Sequence, residues 1–317
     1  MENLVIAGSG CAGLTAAIYS ARAELNPLVL GGDKPGGQLA ETTVVENYPG
    51  FAEGTMGPEL MMAFQKQAQR FDTRIRAARI ASAELQNRGP QRLTLDNGDT
   101  LETRALIIAT GARPRWLGIP SETALRNKGV SSCATCDGAL FRNVPVTVVG
   151  GGDSALEEAL FLTRFASEVI VIHRRENLRA SVIMQEEAFA NDKISFVWDS
   201  VVEEIKDVDK DEVTGVVVKN KKTGERSTID CKAVFVAIGH IPNTESFKQS
   251  LKLDEQGYVM CPDKGRSLTC VEGVFVAGDC ADSVYRQAIT AAGMGCRAAI
   301  DAERWLQTQR DAWPACN

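Results

Sequence analysis

An α/β fold of two Rossmann-like nucleotide-binding units, one inserted into the other, is predicted by three features of this sequence. A buried-strand pattern at residues 3–8 runs through Gly8, Ser9, Gly10, Cys11, Ala12 and Gly13 into a helix-like stretch at 14–23. The same order recurs at 145–150, where Gly150, Gly151, Gly152, Asp153, Ser154 and Ala155 lead into a helix-like stretch at 156–165. Two proline-bearing connections, Arg113, Pro114, Arg115 and Ile241, Pro242, Asn243, then mark off residues 114–243 as an insertion between 1–113 and 244–317. Strand, glycine turn, helix and strand in that order is the unit that binds a dinucleotide, because glycine lets backbone approach a pyrophosphate at a helix N-terminus.

The remaining elements follow the same duplication. Each glycine unit is followed by a second strand, at 27–30 and 168–172, and later by a hairpin pattern. In the first copy residues 93–101 turn at Asp96, Asn97 and Gly98, and a strand follows at 105–111. In the second, 213–229 turn at Lys222, Thr223 and Gly224, and a strand follows at 233–239. Turns of this composition between alternating residues are hairpin signals. A further strand at 273–277 ends in Gly278 and Asp279, ahead of a helix of small residues at 286–306.

Composition narrows the function. The chain has 317 residues, 44% hydrophobic and 24% charged, as in ordinary globular proteins. A net charge of −6 argues against nucleic acid, whose phosphates reward basic patches. No apolar run approaches the ~20 residues of a membrane span. The N-terminal residues lack the basic and apolar regions of a signal peptide, so a cytoplasmic location is expected. In a reducing compartment nine cysteines are not a disulfide framework. Cys11, Cys231, Cys261, Cys270, Cys280, Cys296 and Cys316 are scattered, and most read as small apolar side chains. Only Cys133 and Cys136 form a Cys-x-x-Cys pair; two histidines and no second close pair argue against zinc.

The residues after the second strand of each unit separate the two nucleotides. An unphosphorylated ribose calls for an acidic residue about 20 positions after the turn. The second unit instead carries His173, Arg174 and Arg175, with Arg179 beyond them. Guanidinium groups grip phosphate with paired hydrogen bonds, so this site is expected to prefer NADPH to NADH. A solvated basic run is the plain alternative. The first unit lacks the expected acid: Gly31 and Gly32 follow Leu30, and Asp33 reaches a ribose only if the loop bends back.

These motifs resemble the low-molecular-weight thioredoxin reductases. The resemblance is carried by Gly-Gly-Gln-Leu at 36–39, Glu-Asn-Tyr-Pro-Gly at 46–50, Ala-Thr-Gly-Ala at 109–112 and Cys-Ala-Thr-Cys-Asp-Gly at 133–138. It is carried equally by the second glycine turn, the His-Arg-Arg run with Arg179, residues 273–279 and Tyr-Arg-Gln-Ala at 285–288, in the family's order along nearly the whole chain. The resemblance implies two domains of three-layer ββα type, an FAD domain interrupted by an NADPH domain, working as a homodimer. It places FAD contacts on Gly8, Ser9, Gly10, Ala12, Gly13, Gln38, Asn47, Thr110, Gly111, Gly278, Asp279, Arg286, Gln287 and Ala288. It places NADPH contacts on Gly152, Asp153, Ser154, Glu157, His173, Arg174, Arg175 and Arg179. Asp279 follows a buried strand, where a carboxylate can accept hydrogen bonds from ribityl hydroxyls or cap a helix.

A Cys-x-x-Cys pair suits the chemistry so implied, since it accepts two electrons as a disulfide and donates them as a dithiol. The thiolate is the nucleophile, and a helix beginning near Cys136 lowers its pKa. By the resemblance, Cys136 lies against the flavin and Cys133 attacks the thioredoxin disulfide, forming a mixed disulfide that Cys136 resolves. Asp137 is expected to be the acid that protonates the leaving thiolate, or else a helix cap. The family's NADPH domain rotates as a body, which places hinges near 113–116 and 241–245. Two features lie outside the pattern: Cys280 beside Asp279, which reads first as a spare thiol in a packed turn, and the tail 311–317, which reads first as a frayed terminus, with Trp313 stacked on the flavin as the alternative. Rival readings keep the disulfide but change its partners, to a ferredoxin donor or a peroxiredoxin acceptor, or make the chain a flavin-linked redox sensor.

Overall fold

The structure, a computed structural model, describes residues 1–32, 35–263 and 265–309. Asp33, Trp313 and Cys316, singled out in the sequence, lie outside the described residues. The chain divides into two compact units, residues 1–113 with 241–317 and residues 114–240. The second crossing therefore falls at His240, three residues ahead of the boundary that the proline pattern suggests.

In the first unit, parallel strands Arg74–Arg76, Leu28–Leu30, Glu2–Ala7, Thr100–Ile108 and Val274–Val276 lie side by side in that order. Alternation along these strands buries both faces. Leu4, Ile6, Ile107 and Phe275 pack under the helices Cys11–Arg22 and Ala288–Thr308. Val5, Ala7, Leu106, Ile108 and Val276 pack against Leu93, Leu95 and Phe247 on the opposite face. A strand covered on both sides reads as a continuous apolar run, which is why it was legible. The two helices approach closely because small residues meet: a Cβ on Gly295 would lie 2.1 Å from the Ala12 carbonyl oxygen.

The second unit repeats this layering. Its parallel strands run in the order Val130–Ser131, Ala233–Ala237, Pro145–Gly150, Glu168–Ile172, Ile194–Val197. One face, with Val146, Val148, Val169 and Phe235, packs on Ala155, Ala159 and Leu162 of the helix Asp153–Leu162. The other face, with Val149, Ile172, Val234 and Val236, packs on Val202, Ile205, Val216 and Val218. Those four come from the antiparallel sheet of Ser200–Ile205, Gly215–Asn220 and Arg226–Asp230. Sheet, sheet and helix make the three layers of this unit; in the first, the antiparallel strands Gln91–Leu95 and Ile80–Glu84 continue the same seven-stranded sheet.

Three details differ from the sequence reading. The second arm of the first hairpin and the strand after it are one strand, Thr100–Ile108. Its start pairs antiparallel with Gln91–Leu95 and its end parallel with Glu2–Ala7. No glycine or proline interrupts residues 99–108, and buried Thr103 donates its hydroxyl to the Ala105 carbonyl where the pairing changes. Both glycine-turn helices begin three residues before their apolar runs, at Cys11 and Asp153, because each starts directly from its turn. The helix that follows Cys133 starts at Ala134 and ends at Asp137, so Cys133 occupies its N-cap and Cys136 lies inside it.

The crossing segments Ala112–Pro114 and His240–Pro242 pair as a two-stranded ladder. Beside it the Asn243 N–H donates to the Gly111 carbonyl, the Thr110 hydroxyl donates to the Asn243 main-chain carbonyl at 2.7 Å, and the Asn243 side-chain amide donates to the Thr110 main-chain carbonyl at 2.9 Å. No helix among the described residues is long and apolar enough to cross a membrane.

Candidate functional sites

The first glycine turn is built by close backbone approach. Gly8 has φ +116, a conformation that favours glycine, and a Cβ there would stand 2.2 Å from the Ala109 carbonyl oxygen. Gly13 is held to the turn in the same way, 2.0 Å from Gly8 O by its missing Cβ. Gly10 is the contrast, with nothing within 4 Å of its Cβ position. It is the N-cap of Cys11–Arg22, and no side chain caps that helix. The turn thus has a packed side and, at the N-terminus of an uncapped helix, an open side, the arrangement that takes an anion.

Ser9 faces inward. Its hydroxyl donates to the Gly31 carbonyl at 2.9 Å and accepts from the Gly36 N–H at 3.1 Å, tying the turn to the loop after the second strand. Gln38 donates to the Ala112 carbonyl, and Asn47, exposed, donates to Gln287 Oε1 at 3.5 Å. Residues 46–52 line an open cavity of about 560 Å³. Gln287 is the N-cap of Ala288–Thr308, locked by a capping box with Thr290. Arg286 has φ +49, imposed by Asp282, whose carboxylate accepts from the N–H groups of Val284, Tyr285 and Arg286.

Asp279 stands apart from these satisfied groups. It follows Gly278 (φ +77) at the end of Val274–Val276, and its Oδ1 is buried without a hydrogen-bond partner among the described residues. Burial foremost, and then the Asp282 charge, push its carboxyl up to about 6, with Arg286 acting the other way. A buried, orphaned carboxylate oxygen needs a donor that the described residues do not supply. The neighbouring Cys280 is fully buried and spends its thiol on the Ile108 and Ala277 carbonyls. Burial pushes that thiol to about 11 and the Cys11 thiol to about 12, so both are packed, unreactive groups.

The second glycine turn has the same open position. Nothing lies within 4 Å of a Cβ on Gly152, the uncapped N-cap of Asp153–Leu162. Arg174, Arg175 and Arg179 are exposed, as is Glu157, while Ser154 is half-buried. His173 is not with the arginines: it is buried, its ring nitrogens 2.9 Å from the Gly150 carbonyl and 3.0 Å from the Asn177 carbonyl. The Asp153 carboxylate is likewise engaged within the chain, accepting the Ser181 N–H at 2.7 Å.

Cys133 and Cys136 are joined as a disulfide with their Cα atoms 5.3 Å apart. Cys136 is exposed and Cys133 half-buried. Asp137 is half-buried, and desolvation holds its carboxyl above the usual carboxylate range. Ser131, at the end of Val130–Ser131, was not singled out by sequence, yet it organises the centre. Its hydroxyl donates to Asp137 Oδ2 at 2.5 Å and accepts the Cys133 N–H at 3.1 Å. The donated bond pulls the Asp137 pKa back toward the ordinary value. A serine two residues before a cysteine carries no signal of its own; only the turn into Ala134–Asp137 brings its hydroxyl to the carboxylate.

Two uncapped glycine turns and a surface disulfide beside a half-buried acid define a nucleotide-dependent disulfide oxidoreductase. Residues 2–295 match the model of the family described as pyridine nucleotide-disulphide oxidoreductase. A thioredoxin reductase of Mycolicibacterium smegmatis is 52% identical over 310 residues, covering 98% of each chain. One of Streptomyces coelicolor is 49% identical over 313 residues, 98% of this chain and 96% of that one. The solved thioredoxin reductase of Giardia duodenalis superposes with a TM-score of 0.91 at 42% identity, covering 96% of this chain and 98% of that one. The chain belongs to the pyridine nucleotide-disulphide oxidoreductase family and, within it, to the thioredoxin reductases. It is an enzyme, an NADPH-dependent disulfide oxidoreductase with FAD and NADPH as cofactors.

Proposed function

We propose that the chain carries two electrons from NADPH, held on the second unit, through FAD, held on the first, to the Cys133–Cys136 disulfide and on to thioredoxin. The observation that carries this reading is the disulfide itself, formed beside a half-buried acid in a chain with two open glycine turns. FAD fits the first unit because the unpartnered Asp279 oxygen asks for hydroxyl donors and the Gly10 turn for an anion. Gly8, Gly10, Ala12, Gly13, Thr110, Gly111 and Gly278 shape that site. Ser9, Gln38, Asn47, Arg286, Gln287 and Ala288 frame it. Gly152, Ser154, Glu157, Arg174, Arg175 and Arg179 form the NADPH side. Bound FAD supplies a relay between a hydride donor and a disulfide.

Electrons arriving at Cys136 break the S–S bond, and Asp137 gives its proton to one of the two sulfurs. The remaining thiolate, on Cys133, attacks the thioredoxin disulfide and joins to one of its sulfurs. Cys136 then returns its proton to Asp137, attacks the Cys133 sulfur and re-forms the internal disulfide, releasing reduced thioredoxin, whose two thiolates take protons from water. Anaerobic titration tests the whole route: NADPH bleaches the flavin absorbance and oxidised thioredoxin restores it. A flavin that NADPH leaves coloured overturns the assignment of the donor. We further propose a homodimer located in the cytoplasm, the first to be checked by light scattering on the holoenzyme. Cross-linking the paired crossing segments is expected to stop steady-state turnover, the result required if they act as pivots.

The acid has a pH signature. A carboxyl held high stays protonated to a higher pH than an exposed one, so dithiol formation slows as pH rises through the Asp137 pKa. Asp137→Asn removes that limb and slows the step by about 100-fold or more, the range of general acids. Ser131→Ala deletes a bond that lowers the pKa, so its limb moves to higher pH. Stopped-flow traces across pH 5–9 read both effects, and a limb that moves down in Ser131→Ala contradicts the role given to the serine.

A further inference from the structure

The second glycine turn and the arginine loop are joined at three points. The His173 ring spans from the Gly150 carbonyl to the Asn177 carbonyl. The Arg179 N–H donates to the Gly151 carbonyl at 2.7 Å. Asp153 takes the Ser181 N–H at 2.7 Å. Positions 177, 179 and 181 of the loop therefore meet positions 150, 151 and 153 of the turn, while Arg174, Arg175 and Arg179 project outward as exposed side chains.

Gly151 shows how tight the join is. A Cβ there would stand 2.1 Å from His173 Nδ1, so this glycine makes room for the imidazole rather than for a nucleotide. The first unit solves the same problem from the other side. There the middle residue of the turn, Ser9, reaches out to Gly31 and Gly36 in the loop after its second strand. In both units the position next along, Gly10 or Gly152, is the one left open.

We propose that His173 and Asp153 are positioning residues that fasten the arginine loop to the glycine turn, and that the preference for NADPH over NADH depends on them although neither grips the 2′-phosphate. This rests on the reading of the second unit as the NADPH site. The physical reason is preorganisation: guanidinium forks on a loose loop must be ordered when the phosphate binds, and that cost falls on affinity. NADH carries the same pyrophosphate but no 2′-phosphate, so loop order counts for one nucleotide and not for the other. A residue that touched the pyrophosphate would weaken both alike.

The test is the ratio of kcat/KM for NADPH to that for NADH, read from flavin bleaching by the holoenzyme. In Asp153→Ala and in His173→Ala the ratio is expected to fall about tenfold, one hydrogen bond's worth of loop order. Asp153→Asn, whose amide oxygen still accepts from Ser181, is expected to recover most of it. If His173→Ala does not fold, the Asp153 pair carries the test alone. A ratio unchanged in Asp153→Ala while both nucleotides weaken overturns the proposal and makes Asp153 a pyrophosphate contact. Arg179→Ala, run in parallel, separates the two levels: if it leaves the ratio unchanged, the NADPH reading of the loop has failed, not merely its fastening.

Discussion

Cys133→Ser and Cys136→Ser are each expected to lower thioredoxin reduction by roughly 10⁴ or more, the scale on which loss of a nucleophile acts. Neither replacement removes a nucleotide turn, so NADPH still bleaches the flavin, and the loss lies in the second half of the cycle. The two variants then part. With Cys133 gone, a Cys136 thiolate that is the flavin-side sulfur, as proposed above, would add a long-wavelength absorbance to the oxidised flavin. With Cys136 gone, Cys133 still attacks thioredoxin but nothing resolves the product, so a mixed disulfide accumulates on a non-reducing gel. Exposure ranks the sulfurs the other way, Cys136 exposed and Cys133 half-buried, which makes this pair of readouts decisive. A mixed disulfide trapped by Cys133→Ser instead would exchange the two roles.

The second large effect belongs to Asp279. In the flavin-free chain its carboxyl sits near 6 against about 4 in an unfolded chain. The folded form therefore holds this proton more tightly, and the stability it brings is present below about pH 4 and lost as pH rises through about 6. Hydroxyl donors on a bound flavin nucleotide favour the ionised carboxylate, so FAD affinity should increase between pH 5 and 7. Asp279→Ala is expected to weaken FAD about 10- to 100-fold, the worth of a hydrogen bond to a charged group. Asp279→Asn should bind FAD with no such pH dependence. Fluorescence titration of deflavinated protein measures all three, and wild-type binding that is flat from pH 5 to 7 would count against Asp279 as the acceptor.

Much of the architecture was legible before the structure. The strand Glu168–Ile172 is where its apolar run placed it, and the turns at Gly8 and Gly150 open helices as their spacing requires. What the pattern missed has a common cause. The strand Thr100–Ile108 reads as two because its halves answer to different partners, one antiparallel and one parallel. His173 reads as one of a basic run because its neighbours Arg174 and Arg175 are basic, whereas its ring is turned under Gly151. Cys280, by contrast, is the spare thiol in a packed turn that its place in the sequence suggests, and burial makes it inert.

The sequence by itself determined the two nucleotide turns, the arginine cluster and the Cys133–Cys136 pair. Each is a contiguous run whose chemistry depends on backbone freedom, charge and spacing within a few residues. Only the tertiary structure decided that Oδ1 of Asp279 is buried without a donor among the described residues, that the Ser131 hydroxyl joins Asp137 to the Cys133 N–H, and that His173 and Asp153 bond between the glycine turn and the arginine loop. Those properties are set by which groups are removed from water together and which distant partners meet them there. Burial and long-range hydrogen bonds are created when the layers pack, and no local pattern of residues records them.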